Sequence, residues 1–440
     1  MRSILQCMES GKSYAVDSIL YTSPETGGLL DVWHDLDSLK RHVSRELFDS
    51  RLGTLDAPFN SGVWRYKELV YPDVDESFIV SKPEGNTNLY HVPRLAEWAG
   101  VSTFFLKHEG ENPTGSFKDR GMTGGVTQAK ALGLSRVACA STGNTSAALA
   151  SYASAGEMEG IVFFEDRHIA QGKLSQAIAY GATCIRIHAD FDRNLELVRE
   201  ISDRLGIYVL NSINPFRLEG QKTILFELIQ QLRWQPPDWI VLPGGNLGNT
   251  AAFGKALFEL HNLGLIDRMP RLAVIQAEGA NPFYRSYEPD VTADGYRRGF
   301  DELTAVKADT IATAIKIGNP VNFPKAVRAL RWTDGVVEQV SDQEIMDAKA
   351  LIDRQGIGCE PASACSLAGT RKLVERGVIE PHERVVGILT GHLLKDPDAT
   401  IGYHQNTLDG LVARYPNQIF QADDSLVEIE NILQGVASQR

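Results

Sequence analysis

From about residue 102 to residue 390 the chain alternates short, continuous apolar runs with stretches that are apolar at helical spacing. No other feature limits its fold as strongly. The candidate strands are "TFFLKHE" (103–109), "VACA" (137–140), "IVFFE" (161–165), "TCIRIHA" (183–189), "IYVLNS" (207–212), "WIVLP" (239–243), "LAVIQAE" (272–278) and "VVGILT" (385–390). Between them lie periodic stretches such as "FDRNLELVREISDRLG" and "KTILFELIQQL". A strand that is apolar throughout is buried on both faces, so strands of this kind separated by helices predict an α/β chain with parallel sheet under helices. So many strands exceed one compact sheet. The pattern predicts two open parallel-sheet domains with a cleft between them, and ligands at the carboxyl ends of strands. The expected boundaries are a large domain of residues 86–131 and 213–400 and a small domain of residues 132–212. Residues 1–85 are acidic, aromatic and short of clear alternation, and read as a mixed N-terminal extension; residues 401–440 read as a tail of loop plus one helix.

Composition narrows the function. Lys plus Arg number 44 against 56 Asp plus Glu, a net charge of -12, which argues against broad binding to nucleic acid or anionic lipid. No apolar run reaches membrane-spanning length, and "MRSILQCMESGKSYAVD" lacks the apolar core of a signal peptide, so a cytoplasmic protein is expected. Cys7, Cys139, Cys184, Cys359 and Cys365 are few and scattered, and Cys359 and Cys365 stand too far apart for a C-x-x-C redox pair. No disulfide framework is expected.

Chemistry concentrates at strand-to-helix junctions. "ENPTGSFKDRG" (111–121) puts Lys118 in the first turn of a predicted helix, after a Pro-Thr-Gly turn. Unpaired N–H groups at a helix start disfavour a cation there, so the Lys118 proton is easily lost, as suits an amine that reacts. Ser116 reads as the N-cap and Asp119 as the far half of a short capping box. "LPGGNLGNT" follows the strand at 239–243, and Gly245, Asn246, Leu247, Gly248 and Asn249 would form a nest of N–H groups suited to phosphate. The loop is neither a Walker A nor a G-x-G-x-x-G turn, and a tight βα turn that binds nothing is the plain alternative. In "ASTGNTSAAL", Ser141, Thr142, Asn144 and Thr145 offer hydroxyl and amide groups at a second helix start, suited to a carboxylate or serving only as caps. "NSINPFRLEGQKT" sets Asn211 and Ser212 at a strand end with Arg217 and Lys222 behind them, where an arginine can grip a second phosphate. Thr390, in "ILTGHLLKDPD", could bond a ring nitrogen without donating full charge; His392 beside it has no companions for a metal set.

These stretches, with "ENPTGSFKDRGMT" and "ASTGNTSAALASYASAG", stand in an order and spacing that resemble the threonine synthases, members of the tryptophan-synthase-β-like (fold type II) pyridoxal-phosphate enzymes. The likeness spans about residues 80–400. "TGGLLDVWHDLDSLKR", "LFDSRLG" and "SGVWRYKE" further resemble the N-terminal part of plant-like members. The resemblance implies pyridoxal 5'-phosphate held by Lys118 as a Schiff base, with Asn144 on its phenolic oxygen, Gly245 to Asn249 around its phosphate and Thr390 facing its pyridine nitrogen. It implies a substrate carboxylate held by Ser141, Thr142, Asn144 and Thr145, and a substrate phosphate held by Asn211, Ser212 and Arg217. The implied reaction converts O-phospho-L-homoserine and water to L-threonine and phosphate; a threonine or serine dehydratase is the alternative within the fold. A homodimer, with S-adenosylmethionine as a candidate effector, belongs to the same resemblance.

The chain departs from the family at two places. Many relatives carry a two-knuckle Cys-x-x-Cys ribbon where this chain has Cys7, Ser10, Ser23 and Thr26, so no structural zinc is expected. Leu393 replaces a glycine common after the Thr-Gly-His motif and could reshape the pocket edge.

Overall fold

A computed structural model describes residues 3–437 apart from 142, 166–170, 189–196, 199, 203 and 293–294. Two sheets dominate it. The larger has six strands in the order Val336–Val340, Arg271–Ala277, Trp239–Pro243, Arg384–Leu389, Thr103–His108 and Leu89–His91. The first five are parallel, and the short edge strand Leu89–His91 runs antiparallel. The smaller sheet is parallel throughout, in the order Thr183–Ile187, Glu159–Glu165, Arg136–Ala140 and Tyr208–Val209.

The apolar runs behave as their composition requires. Alternate residues of one strand enter different cores: Ile240, Leu242, Leu272, Val274, Val386 and Ile388 face one side of the large sheet, while Trp239, Val241, Ala273, Ile275, Val385 and Leu389 face the other. A period of two with both faces buried leaves no polar position, which is why "WIVLP" reads as a continuous run.

Some expectations need correction. "VVEQV" (336–340), unread in the sequence, is the outer parallel strand, its polar Glu338 and Gln339 having masked the pattern. "IYVLNS" pairs only over Tyr208–Val209, after which the chain turns away with Asn211 and Ser212. Much of "FDRNLELVREISDRLG" lies outside the described residues. The first 85 residues are more ordered than their composition suggests. Ser3–Cys7, Ser13–Ala15 and Leu30–His34 form an antiparallel sheet, and Leu5, Val32, Phe48, Trp64 and Tyr66 enter the same core as the large sheet.

Two helices cross with their backbones nearly touching. A Cβ on Gly220 of the helix Pro215–Gln231 would lie 1.8 Å from the Arg120 carbonyl oxygen on the helix Lys118–Ala131. A Cβ on Gly124 would lie 2.8 Å from the Phe216 oxygen. Only glycine permits that approach, and it brings the Lys118 and Arg217 ends of the two helices to one place.

Buried charge ties the same elements together. Glu227 accepts from Lys107 (2.6 Å), Arg120 (2.9 Å) and Arg65 (3.3 Å) and from the backbone N–H groups of Asn86 and Thr87. All these side chains are inaccessible to solvent or nearly so. Removing one member of such a group strands the others, so Glu227→Ala is expected to lower unfolding free energy by about 3–5 kcal/mol. Denaturant unfolding reads this; a loss below about 1 kcal/mol would mean that Glu109 and Thr87 suffice for the cations.

Candidate active site

The lysine turn is fastened to the end of a strand of the large sheet. Gly115, at φ 84°, closes a turn by donating to the Asn112 carbonyl (2.8 Å), Phe117 N donates to Thr390 O (3.0 Å), and His392 N donates to Gly115 O (2.9 Å). Lys118 then begins the helix Lys118–Ala131. The expected capping box does not form. Phe117 occupies the N-cap position with no side-chain bond, and Asp119 instead accepts from Thr114 N at 2.6 Å and from the Thr114 hydroxyl. The reason is local: Asp119 satisfies the turn that precedes the helix, so the first N–H groups of the helix gain no carboxylate. Burial and the nearby Arg217 guanidinium push the Lys118 ammonium down to about 7, partly offset by Glu360.

Around this amine is a cavity of about 1640 Å³. Each described residue that the resemblance assigns to cofactor or substrate lines it: Lys118, Ser141, Asn144, Thr145, Asn211, Ser212, Arg217, Gly245, Asn246, Leu247, Gly248, Asn249 and Thr390. Thr142 lies outside the described residues.

The glycine loop has the shape of a phosphate cradle. Leu247 takes a left-handed φ of 60° at the N-cap of the helix Gly248–Asn262, which has no side-chain cap. A Cβ on Gly244 would lie 2.6 Å from Val274 Cγ1, and one on Gly245 only 3.3 Å from the Ala314 oxygen, so the loop requires glycine. Asn249 Oδ1 is buried without a partner. Open helix N–H groups on a loop with no room for a Cβ at Gly244 fit an anionic ligand. Residues at this loop and at Lys118 therefore fit pyridoxal phosphate.

Arg217 is the second sign of an anion. It lies in the first turn of its helix, capped by Asn214, where a cation is again disfavoured. It is almost wholly buried, its Nη1 donates to the Leu210 carbonyl (2.9 Å), and its Nε has no partner. No described carboxylate pairs with it, and burial pulls the guanidinium down to about 10. Asn211 lines the same wall with its amide braced against Ala140, accepting from Ala140 N (3.0 Å). Lys222, grouped with Arg217 in the sequence, is removed from the cavity: its ammonium pairs with Glu219 and Glu259, each at 2.6 Å. Five residues beyond Arg217, about 140° around the helix, it points into the core instead.

Several lining residues had no motif to reveal them. Glu360 accepts from Asn144 Nδ2 and touches the Thr390 hydroxyl. Lys395 reaches across the cleft to Gln176, whose Nε2 donates to Thr114 O (3.2 Å). Asn322, wholly buried behind the lining, joins the loops of the two anion sites by donating to Ser212 O (3.1 Å) and Asn246 O (3.3 Å). The Pro after Glu360, a helix-start signal, was the one readable hint. Leu393 leans on Gly358, 2.9 Å from where its Cβ would be, and does not line the cavity. His392 lines it and accepts from Leu394 N through Nδ1 (3.1 Å).

At the N-terminus, Cys7 Sγ meets Thr26 Oγ1 at 3.5 Å, and Tyr14 bonds Ser23. Burial raises the Cys7 thiol, but bonds from Ser10 and Thr26 outweigh it and hold it at about 6. Among the described residues, His34, Glu219 and Glu259 converge as metal ligands could, yet Lys222 and Lys255 already bond those carboxylates.

Residues 80–391 match the family described as pyridoxal-phosphate dependent enzyme. A protein of Methanocaldococcus jannaschii named threonine synthase is 48% identical, covering 90% of this chain and 94% of the relative. Threonine synthase 2, chloroplastic, of Arabidopsis thaliana is 42% identical, covering 93% of this chain and 79% of its own. Among solved structures, maize serine racemase superposes with a TM-score of 0.58 at 19% identity, covering 75% of this chain and 93% of the racemase. Threonine deaminase isoform 2 of Solanum lycopersicum does so with 0.57 at 20%, covering 72% and 88%. These two structures bear on the fold alone, and the sequence relatives go further. The chain belongs to the pyridoxal-phosphate dependent enzyme family, on the branch that carries the threonine synthases.

Proposed function

We propose that the cavity converts O-phospho-L-homoserine and water to L-threonine and phosphate, with Lys118 as the catalytic amine. The observation that carries the substrate is Arg217: a buried guanidinium with no carboxylate partner among the described residues, on a different helix from the glycine cradle. A substrate with its own phosphate gives both sites an occupant, whereas the substrates of a serine or threonine dehydratase would leave Arg217 uncompensated.

When bound, pyridoxal phosphate supplies the electron sink that makes the Cα proton of an amino acid removable. Lys118, neutral above about pH 7, takes that proton and moves protons at Cα and Cβ. Arg217, Ser212 and Asn211 hold the substrate phosphate and stabilise it as it leaves Cγ. Ser141 and Thr145, at the start of the helix Asn144–Ala155, hold the substrate carboxylate. Thr142 belongs with them by its place in the motif. Gly245 to Asn249 take the cofactor phosphate, Asn144 its phenolic oxygen and Thr390 its ring nitrogen. Assembly as a homodimer responsive to S-adenosylmethionine is part of the same proposal.

The test is to incubate purified holoenzyme with O-phosphohomoserine and to measure threonine and phosphate together. Equal amounts of both are expected. Formation of 2-oxobutyrate from threonine, without phosphate release from phosphohomoserine, would replace this reading with the dehydratase.

A further inference from the structure

Glu360 is a buried acid that the proposed reaction has not used. It stands at the N-cap position of the helix Pro361–Glu375 without a side-chain capping bond, is 4% exposed, and lines the cavity beside Lys118. No ion pair within 4 Å holds it among the described residues. Its carboxylate instead accepts from Asn144 Nδ2 through both oxygens, at 3.2 and 3.0 Å, and from Thr390 Oγ1 at 3.4 Å. Its backbone N–H donates to Gly391 O (3.0 Å).

We propose that Glu360 is a positioning residue: one carboxylate aims both the Asn144 amide and the Thr390 hydroxyl and so sets the hydrogen-bond polarity that the cofactor ring meets. The inference rests on the reading that Asn144 and Thr390 face the ring. An ionised carboxylate only accepts. Asn144 must therefore turn its nitrogen, not its oxygen, toward Glu360, and the second N–H of that nitrogen is left for the cavity. Thr390 is constrained from two sides. Ser363 Oγ accepts from Thr390 N (2.9 Å) and Gly391 N (3.1 Å), and its own proton has Thr390 Oγ1 at 3.1 Å as a nearer acceptor than the Gly391 carbonyl at 3.5 Å. Thr390 then donates to Glu360. At 3.4 Å the Thr390 bond to Glu360 is long, so the same proton stays within reach of the cavity, and Glu360 sets how far it is withheld from a ring nitrogen. The chain Ser363 to Thr390 to Glu360 thus ends on the same carboxyl group that receives the Asn144 amide. Burial, with Asp396 adding to it, pushes the Glu360 carboxyl above its usual range; the Asn144 amide, Lys395 and Lys118 offset only part of this.

Glu360→Gln keeps the shape but places a donor and an acceptor where there were two acceptors. One of the two partners must reverse. The expected result is a holoenzyme with near-parental cofactor content, an altered ratio of the cofactor's near-ultraviolet and visible absorbance bands, and kcat down roughly tenfold with KM little changed, the size of one charged hydrogen bond. Glu360→Asp keeps the charge and should keep the parental bands. Loss of cofactor and thermal stability with parental bands in the remaining holoenzyme would overturn the proposal, as would unchanged bands and kcat. Should the Gln chain not fold, Ser363→Ala carries the same test, because it removes the donor that turns Thr390 toward Glu360; unchanged bands there are equally fatal. Asn144→Ala and Thr390→Val run alongside. If they leave the bands unaltered, the assignment of these residues to the ring fails, and this inference with it. If they alter the bands and Glu360→Gln does not, only the role of Glu360 fails.

Discussion

Lys118→Ala is expected to abolish threonine formation, with a loss of at least roughly 10³-fold, since general-base work alone contributes about 10² to 10⁴. The lysine makes no ion pair among the described residues, and its ammonium lies 4.2 Å from the Phe117 ring at the cavity wall. Its removal should leave the fold intact and the glycine cradle able to hold pyridoxal phosphate weakly. Borohydride reduction should then fix no pyridoxyl group to the chain, while the parent is labelled at Lys118. The parent carries a further signature. Capture of pyridoxal phosphate by the apoprotein requires the neutral amine, and the ammonium is lowered from 10.5 to about 7. The capture rate should rise as pH passes through about 7 and level off above it. A rise only near the ordinary lysine value, or a reducible adduct at parental level in the alanine chain, would remove Lys118 from its role.

Arg217→Met should separate the two phosphates. Methionine keeps much of the length and packing but removes the charged donor, a change of about 1.5–3 kcal/mol for one charged hydrogen bond. kcat/KM for phosphohomoserine should fall roughly ten- to a hundred-fold. Cofactor content should stay near parental, because the cradle is on another helix. Inhibition by inorganic phosphate should weaken in parallel. The fold should not suffer: an uncompensated buried cation costs stability, so the methionine chain should unfold at or above the parental denaturant midpoint. A chain that loses its cofactor while its residual holoenzyme binds phosphohomoserine normally would place Arg217 at the other phosphate.

The reactive parts of this protein are legible in its sequence because each depends on a few consecutive residues. A Pro-Thr-Gly turn before Lys118, a Gly-Gly-Asn-Leu-Gly-Asn loop after an apolar strand, and Asn-Ser at a strand end before Arg217 all encode local backbone paths. They reappear as a turn closed by Gly115, a left-handed Leu247 and a chain that leaves its sheet after Val209. The strands that bear them are equally local, since burial on both faces makes every position apolar.

Tertiary structure decided the rest. Lys222 looked like a partner of Arg217, but at helical pitch it turns into the core, where Glu219 and Glu259 receive it. The N-terminal strands are buried partly against the large unit, through His34 on Glu219 and Val32 in the shared core, a surface their own residues do not reveal. Glu360 could not be read at all: its partners are 216 residues away at Asn144 and 30 away at Thr390. What a side chain does here depends on how much solvent is taken from it and which group faces it. Both are set by long-range packing, above all by the crossing at Gly220 that brings Arg217 to Lys118. A run of neighbouring residues can encode a turn or a strand, but not the distant surface that closes over it.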